Sequence, residues 1–169
     1  MIALSNSNTG NGSMNCRGLS ITGFGGEYEE YRRYSEDENR AFEKAETFSH
    51  KQALLQQLDS LCKECSEEGW DGDDAFAISE DVYDESRKFI RHLPDISFIP
   101  MPDIIAEYSG EITFEWSKGK RHVLLVTMCG KNEISYVALF GTNEVQGTVF
   151  FGDTFPPVII ENLRRLFLL

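Results

Sequence analysis

The apolar positions of the chain keep one period in its first half and another in its second. Between Ser49 and Glu68, Leu54, Leu58, Leu61 and Cys65 recur at steps of three and four, with Leu55 and Cys62 beside them. That spacing lays an apolar stripe along one face of a helix, which Ser49 is placed to cap and Gly69 to stop. Val82, Ser86, Phe89, Ile90 and Leu93 form a second stripe, predicting a helix from about Ser79 to Leu93, with Ser79 as its cap and Pro94 as its end. Beyond Pro94 the period falls to two. Ile104 to Tyr108, Glu111 to Trp116, Arg121 to Met128 and Glu133 to Phe140 are short runs rich in β-branched and aromatic residues, separated by glycine-containing turns, and Val145 to Phe151 reads as a further edge strand. In Glu111 to Trp116, Ile112, Phe114 and Trp116 face one way and Glu111, Thr113 and Glu115 the other, as in a sheet with one buried face. A closing helix follows, capped at Asp153 or Thr154, with Pro156 and Pro157 in its first turn. The expected fold is α+β: an N-terminal helical hairpin packed on a four- or five-stranded antiparallel meander, with a C-terminal helix.

Residues 1–46 carry little of this pattern. Met1 to Gly26 are rich in Asn, Ser, Thr and Gly, and Glu27 to Glu46 are charged, with Tyr28, Tyr31 and Tyr34 at steps of three. This predicts a flexible or loosely docked extension over 1–46 and a single domain over 47–169. The stretch joining the two helices of the hairpin, Glu67-Glu68-Gly69-Trp70-Asp71-Gly72-Asp73-Asp74, is the landmark of the chain. It is an acidic, glycine-hinged loop with one indole.

Charge sharpens that picture. Of the net −12, Glu27 to Asp95 carries −11, from 20 carboxylates against 9 Lys and Arg, and Ile96 to Leu169 only −2. An acidic helical half argues against direct binding to nucleic acid or an anionic membrane and favours a partner with a basic surface. No run approaches the roughly 18 apolar residues of a membrane span. The first residues lack the basic-then-apolar pattern of a signal peptide, and the four cysteines are irregularly spaced, so a cytoplasmic protein with reduced thiols is expected.

Several chemistries are tested by spacing and fail. Cys62-Lys-Glu-Cys65 lies near the C-terminal end of a helix, where the dipole disfavours a thiolate, and neither a second CxxC nor a paired histidine completes a zinc set. Both cysteines read as small core residues. With Asp71 as its first position, a calcium loop would need Asp or Asn, Gly and Glu where the chain has Ala75, Phe76 and Val82. Gly23-Phe24-Gly25-Gly26 lacks the preceding strand and following Lys-Ser/Thr of a phosphate loop. No nucleophile elbow or metalloprotease motif occurs, and His122 with Cys129 is the best remaining catalytic pair. No cofactor, metal ligand or catalytic residue is therefore assigned, and the sequence favours a protein that is not an enzyme.

The order of Leu54 to Leu61, Gly69-Trp70-Asp71-Gly72, Leu93-Pro94, Pro100-Met101-Pro102-Asp103 and Phe114-Glu115-Trp116 before Lys118-Gly119-Lys120-Arg121 resembles a set of small bacterial and phage-borne proteins without a settled activity. The resemblance spans about Gln52 to Phe140. It implies the same architecture and a mobile-element or defence context, and no catalytic residues. Here Asp73-Asp74-Ala75 replaces the Tyr-Gly-Ala that usually continues the turn. The function expected is an acidic interaction module, such as an antitoxin or anti-defence inhibitor, occupying the basic surface of a partner protein through Glu67, Glu68, Trp70, Asp71, Asp73 and Asp74. The alternatives are a homo-oligomeric accessory protein, its interface drawn from Trp116, Tyr136, Phe140, Phe150 and Phe151, and a small enzyme of unknown class.

Overall fold

A computed structural model describes residues 24–96 and 98–168, and the chain divides into two compact units, 1–39 and 40–169. Of the expected glycine- and serine-rich arm, residues 1–23, with Cys16, lie outside the described residues, as do the side chains of Tyr28, Tyr31 and Tyr34. The first helix, α1, is Phe24–Glu64, which begins 25 residues earlier than the Ser49 expected from the apolar stripe. Between Glu27 and Gly69 there is no glycine or proline to end a helix, and the polar residues are good helix formers. Within the first unit Arg32 lies 3.7 Å from the Glu29 carboxylate and 3.5 Å from that of Glu36, pairs of i,i+3 and i,i+4 spacing that support an exposed helix. An apolar stripe marks where a helix is buried; it is silent about a solvated continuation.

In the second unit α1 runs antiparallel to α2, Glu80–His92. The Tyr83 hydroxyl donates to the Asp59 carboxylate at 2.7 Å, and the Lys51 ammonium donates to the Leu93 carbonyl and pairs with Asp95, each at 2.7 Å. Ser79 caps α2, its side chain accepting from the Val82 amide, and Glu80 and Asp81 lie at its positive end. The expected helical hairpin is present.

The five expected strands form one antiparallel sheet in chain order: β1 Asp103–Ala106, β2 Ile112–Ser117, β3 His122–Met128, β4 Glu133–Phe140 and β5 Asn143–Phe150. Register puts Phe114 opposite Ile104 and Val126, and Tyr136 opposite Val126 and Gly147. One face of the sheet therefore collects Ile112, Phe114, Trp116, Leu124, Val126, Met128, Ile134 and Ala138, all buried. The closing helix α3 is Pro157–Leu168. It starts after the expected cap at Asp153 or Thr154, because Pro157 bars Pro156 from helical dihedrals and itself fits the first helical position.

Leu54 and Leu58 of α1, Phe89 and Ile90 of α2, and Ile159, Leu163 and Leu166 of α3 share one core with that sheet face. Phe89 is its centre. Its ring stands 4.8 Å from Phe114, 5.0 Å from Phe155, 5.8 Å from Phe151 and 6.4 Å from Trp116, in tilted and edge-on geometries. The Trp116 indole N–H is satisfied by the Pro100 carbonyl at 2.9 Å. The helices and Phe151 lie on the same side of the sheet. Its other face shows half-buried Val123, Leu125, Val137 and Leu139, with Phe150 exposed.

Candidate functional site

The acidic loop is held by its own backbone and side chains. After α1, the Gly69 amide donates to the Ala75 carbonyl at 2.8 Å and the Gly72 amide to the Gly69 carbonyl at 2.9 Å, with both glycines at positive φ (73° and 87°). The Asp71 carboxylate accepts from the Asp73 amide at 2.9 Å and the Ala75 amide at 3.4 Å, an Asx turn. The Trp70 indole N–H donates to the Phe76 carbonyl at 3.0 Å. Trp70 and Asp71 thus close the loop, while Glu67, Glu68, Asp73 and Asp74 stay exposed.

The same closure decides where the next side chains go. The Phe76 amide donates to the Tyr108 carbonyl at 2.9 Å, tying the loop to the end of β1. Gly110 makes that approach possible: a Cβ there would lie 2.8 Å from the Ala77 carbonyl oxygen, and its φ is +81°. Ala75 points inward and is buried; Phe76 points outward and is 62% exposed, and Tyr108 is 74% exposed. Two aromatic residues joined through the backbone are therefore displayed beside the loop. Phe76 escapes a reading based on stripes, because it belongs to no helix or strand face, and Tyr108, read as the end of the first strand, lies two residues past β1. The signal present in the sequence is that Phe76 is an aromatic residue in a loop with no periodic partners.

From Glu64 to Ser86 the chain has ten carboxylates and no Lys or Arg. Nine of the ten are exposed and Glu85 is buried. Glu85 accepts from the Gly130 amide at 2.7 Å, which ties α2 to the turn after β3, and its other oxygen has no partner among the described residues. Burial pushes its carboxyl above the usual range, against the pull of the Gly130 and Asn132 amides and Lys88.

The described cysteines are packed thiols. Cys65 is buried and Cys62 half-buried. Burial, with the Cys65 thiol and the Asp59 carboxylate nearby, pushes the Cys62 thiol up to about 11. Cys129 is raised too, by burial and then by the Glu111 carboxylate. His122 and Cys129 do not meet: His122 opens β3 and Cys129 follows its last residue, Met128, so about 20 Å of extended strand lies between them. Among the described residues no three His, Cys, Asp or Glu side chains are grouped as metal ligands, and no helix is long and apolar enough to cross a membrane. Of the five aromatics proposed for a self-interface, Trp116 and Phe151 are core, Tyr136 and Phe140 are half-buried against the core, and Phe150 alone is exposed.

These features define a two-layer α+β domain whose cation-free stretch contains a clamped loop and Phe76, which is tied through its backbone to Tyr108. No protein-family model, no curated protein and no solved structure matches the chain.

Proposed function

We propose that the protein is a non-enzymatic interaction module that occupies a basic surface of a partner protein, with Phe76 and Tyr108 as apolar anchors beside the carboxylates of the loop. The observation that carries this reading is that Phe76 and Tyr108, each more than half exposed, are joined through the backbone, Phe76 lying within a stretch that has nine exposed carboxylates and no Lys or Arg. Aromatic anchors surrounded by charge fit the division of labour in tight interfaces, where buried rings hold and charges steer. An inhibitor that covers a nucleic-acid-binding surface, as an antitoxin or anti-defence protein would, has this character. Glu67, Glu68, Asp73 and Asp74 supply charge, and Trp70 and Asp71 supply the shape that presents it.

The test is affinity capture from the native host with three baits. Wild type is expected to retain a basic protein, and retention is expected to weaken as salt rises from about 50 mM to about 300 mM. Phe76→Ala/Tyr108→Ala and Glu67→Gln/Glu68→Gln/Asp73→Asn/Asp74→Asn are each expected to lose it. Retention that survives both variants would remove this surface from the function.

The exposed Phe150, on the sheet face that no described helix covers, favours a second reading, self-association through the sheet. Sedimentation equilibrium checks it: a dimer converted to monomer by Phe150→Ser supports it, and a monomer at all concentrations excludes it.

A further inference from the structure

We propose that the groove between α1 and the free edge of β1 binds an extended, cationic segment of a partner protein, at a surface separate from the acidic loop. β1 is the outermost strand of the sheet, so its outer edge faces no other strand. Beside it lies a hollow of about 510 Å³, with Leu54, Ile99 and Met101 among the apolar residues that line it and Glu43, Glu46 and Asp103 as its carboxylates. A second hollow, of about 620 Å³, continues along α1 as far as Glu64 and shares Ala53, Gln57 and Asp103 with the first. The first is of a size that takes one bulky side chain with its neighbours. From Glu43 to Glu64 the helix rises about 31 Å, the length of about nine extended residues.

The charge of the groove selects the occupant. Neither hollow is lined by Lys or Arg. Of the three lysines on this part of α1, Lys51 is turned to Asp95 and the Leu93 carbonyl, and Lys44 and Lys63 line neither hollow. Phosphate is repelled, and a second copy would bring the same carboxylates against themselves. A partner segment with Lys or Arg flanking an apolar residue matches both the rim and the floor. Pro100 and Pro102 have no amide hydrogen to give, so main-chain pairing with such a segment is confined to Asp103–Ala106, and the rest of the contact is made by side chains.

The experiment is fluorescence anisotropy with a labelled peptide of about nine residues, lysines flanking a central leucine. Saturable binding to the full chain is expected. Ala53 is exposed and lines both hollows, so Ala53→Trp fills the groove from the solvent side. That variant and Glu46→Lys/Asp103→Lys are each expected to weaken binding at least about tenfold, with urea midpoints like wild type, whereas Glu68→Lys/Asp74→Lys changes it less than about twofold. The proposal is overturned by an absence of saturable binding, by Ala53→Trp binding like wild type, or by loss of binding in the loop variant alone. The last result would leave the acidic loop as the cationic site, so failure here and failure of the loop reading are separate outcomes.

Discussion

At the scale of single residues, Glu85 has the most to answer for. Its carboxyl binds a proton more tightly folded than unfolded, because burial disfavours the charge. The protonated form therefore favours the fold below the ordinary carboxyl range, and that contribution is lost as pH rises through the raised folded value. Compared with Glu85→Gln, wild type is expected to gain stability as pH is lowered from about 7 to about 4.5, read as the difference between their urea midpoints; a flat difference would show that Glu85 is not shifted. Cys62 makes a second prediction. With its thiol pushed up to about 11, folded protein at neutral pH is expected to react with iodoacetamide far more slowly than denatured protein, and equal rates would contradict the packed environment. Neither shift is legible in sequence: the stripe places Cys62 in the core, but the hydrogen bond from Gly130 to Glu85 joins positions 45 residues apart.

At the scale of elements, α2 holds the layers together. Removing the Phe89 ring opens a cavity among Phe114, Trp116, Phe151 and Phe155, and Phe89→Ala is expected to cost about 3–5 kcal/mol in urea unfolding. The loop clamp is weaker. Trp70→Phe removes one indole-to-carbonyl hydrogen bond and is expected to cost about 1 kcal/mol, with the carboxylates left in place. Period alone located α2 and all five strands within a few residues, since each has a buried face that writes alternation or a stripe into the sequence. It missed the first half of α1, where nearly all the described side chains are exposed and no face need be apolar. The bond from the half-buried Trp70 indole to the Phe76 carbonyl is not legible either, because one aromatic in an acidic loop looks the same in sequence whether or not it closes the loop.

At the scale of the whole molecule, charge is what distinguishes this α+β domain, and a net −12 makes association sensitive to ionic strength well before folding is. The architecture was legible because the helices and strands meet through residues at regular spacing, although Ile99, Met101 and Phe155 pack on the core from outside any element. The candidate surfaces were legible only as charge: the acidic loop shows in composition, but the two aromatics and the groove beside β1 depend on how distant segments meet. The strand order adds a consequence for how the chain reaches this state. Since each strand pairs with its neighbour in sequence, the sheet can grow by successive hairpins, and most of the closures required are short. A ribosome delivering the chain from its N-terminus would release one completed ladder after another, with α1 and α2 already waiting to cover the face as it forms.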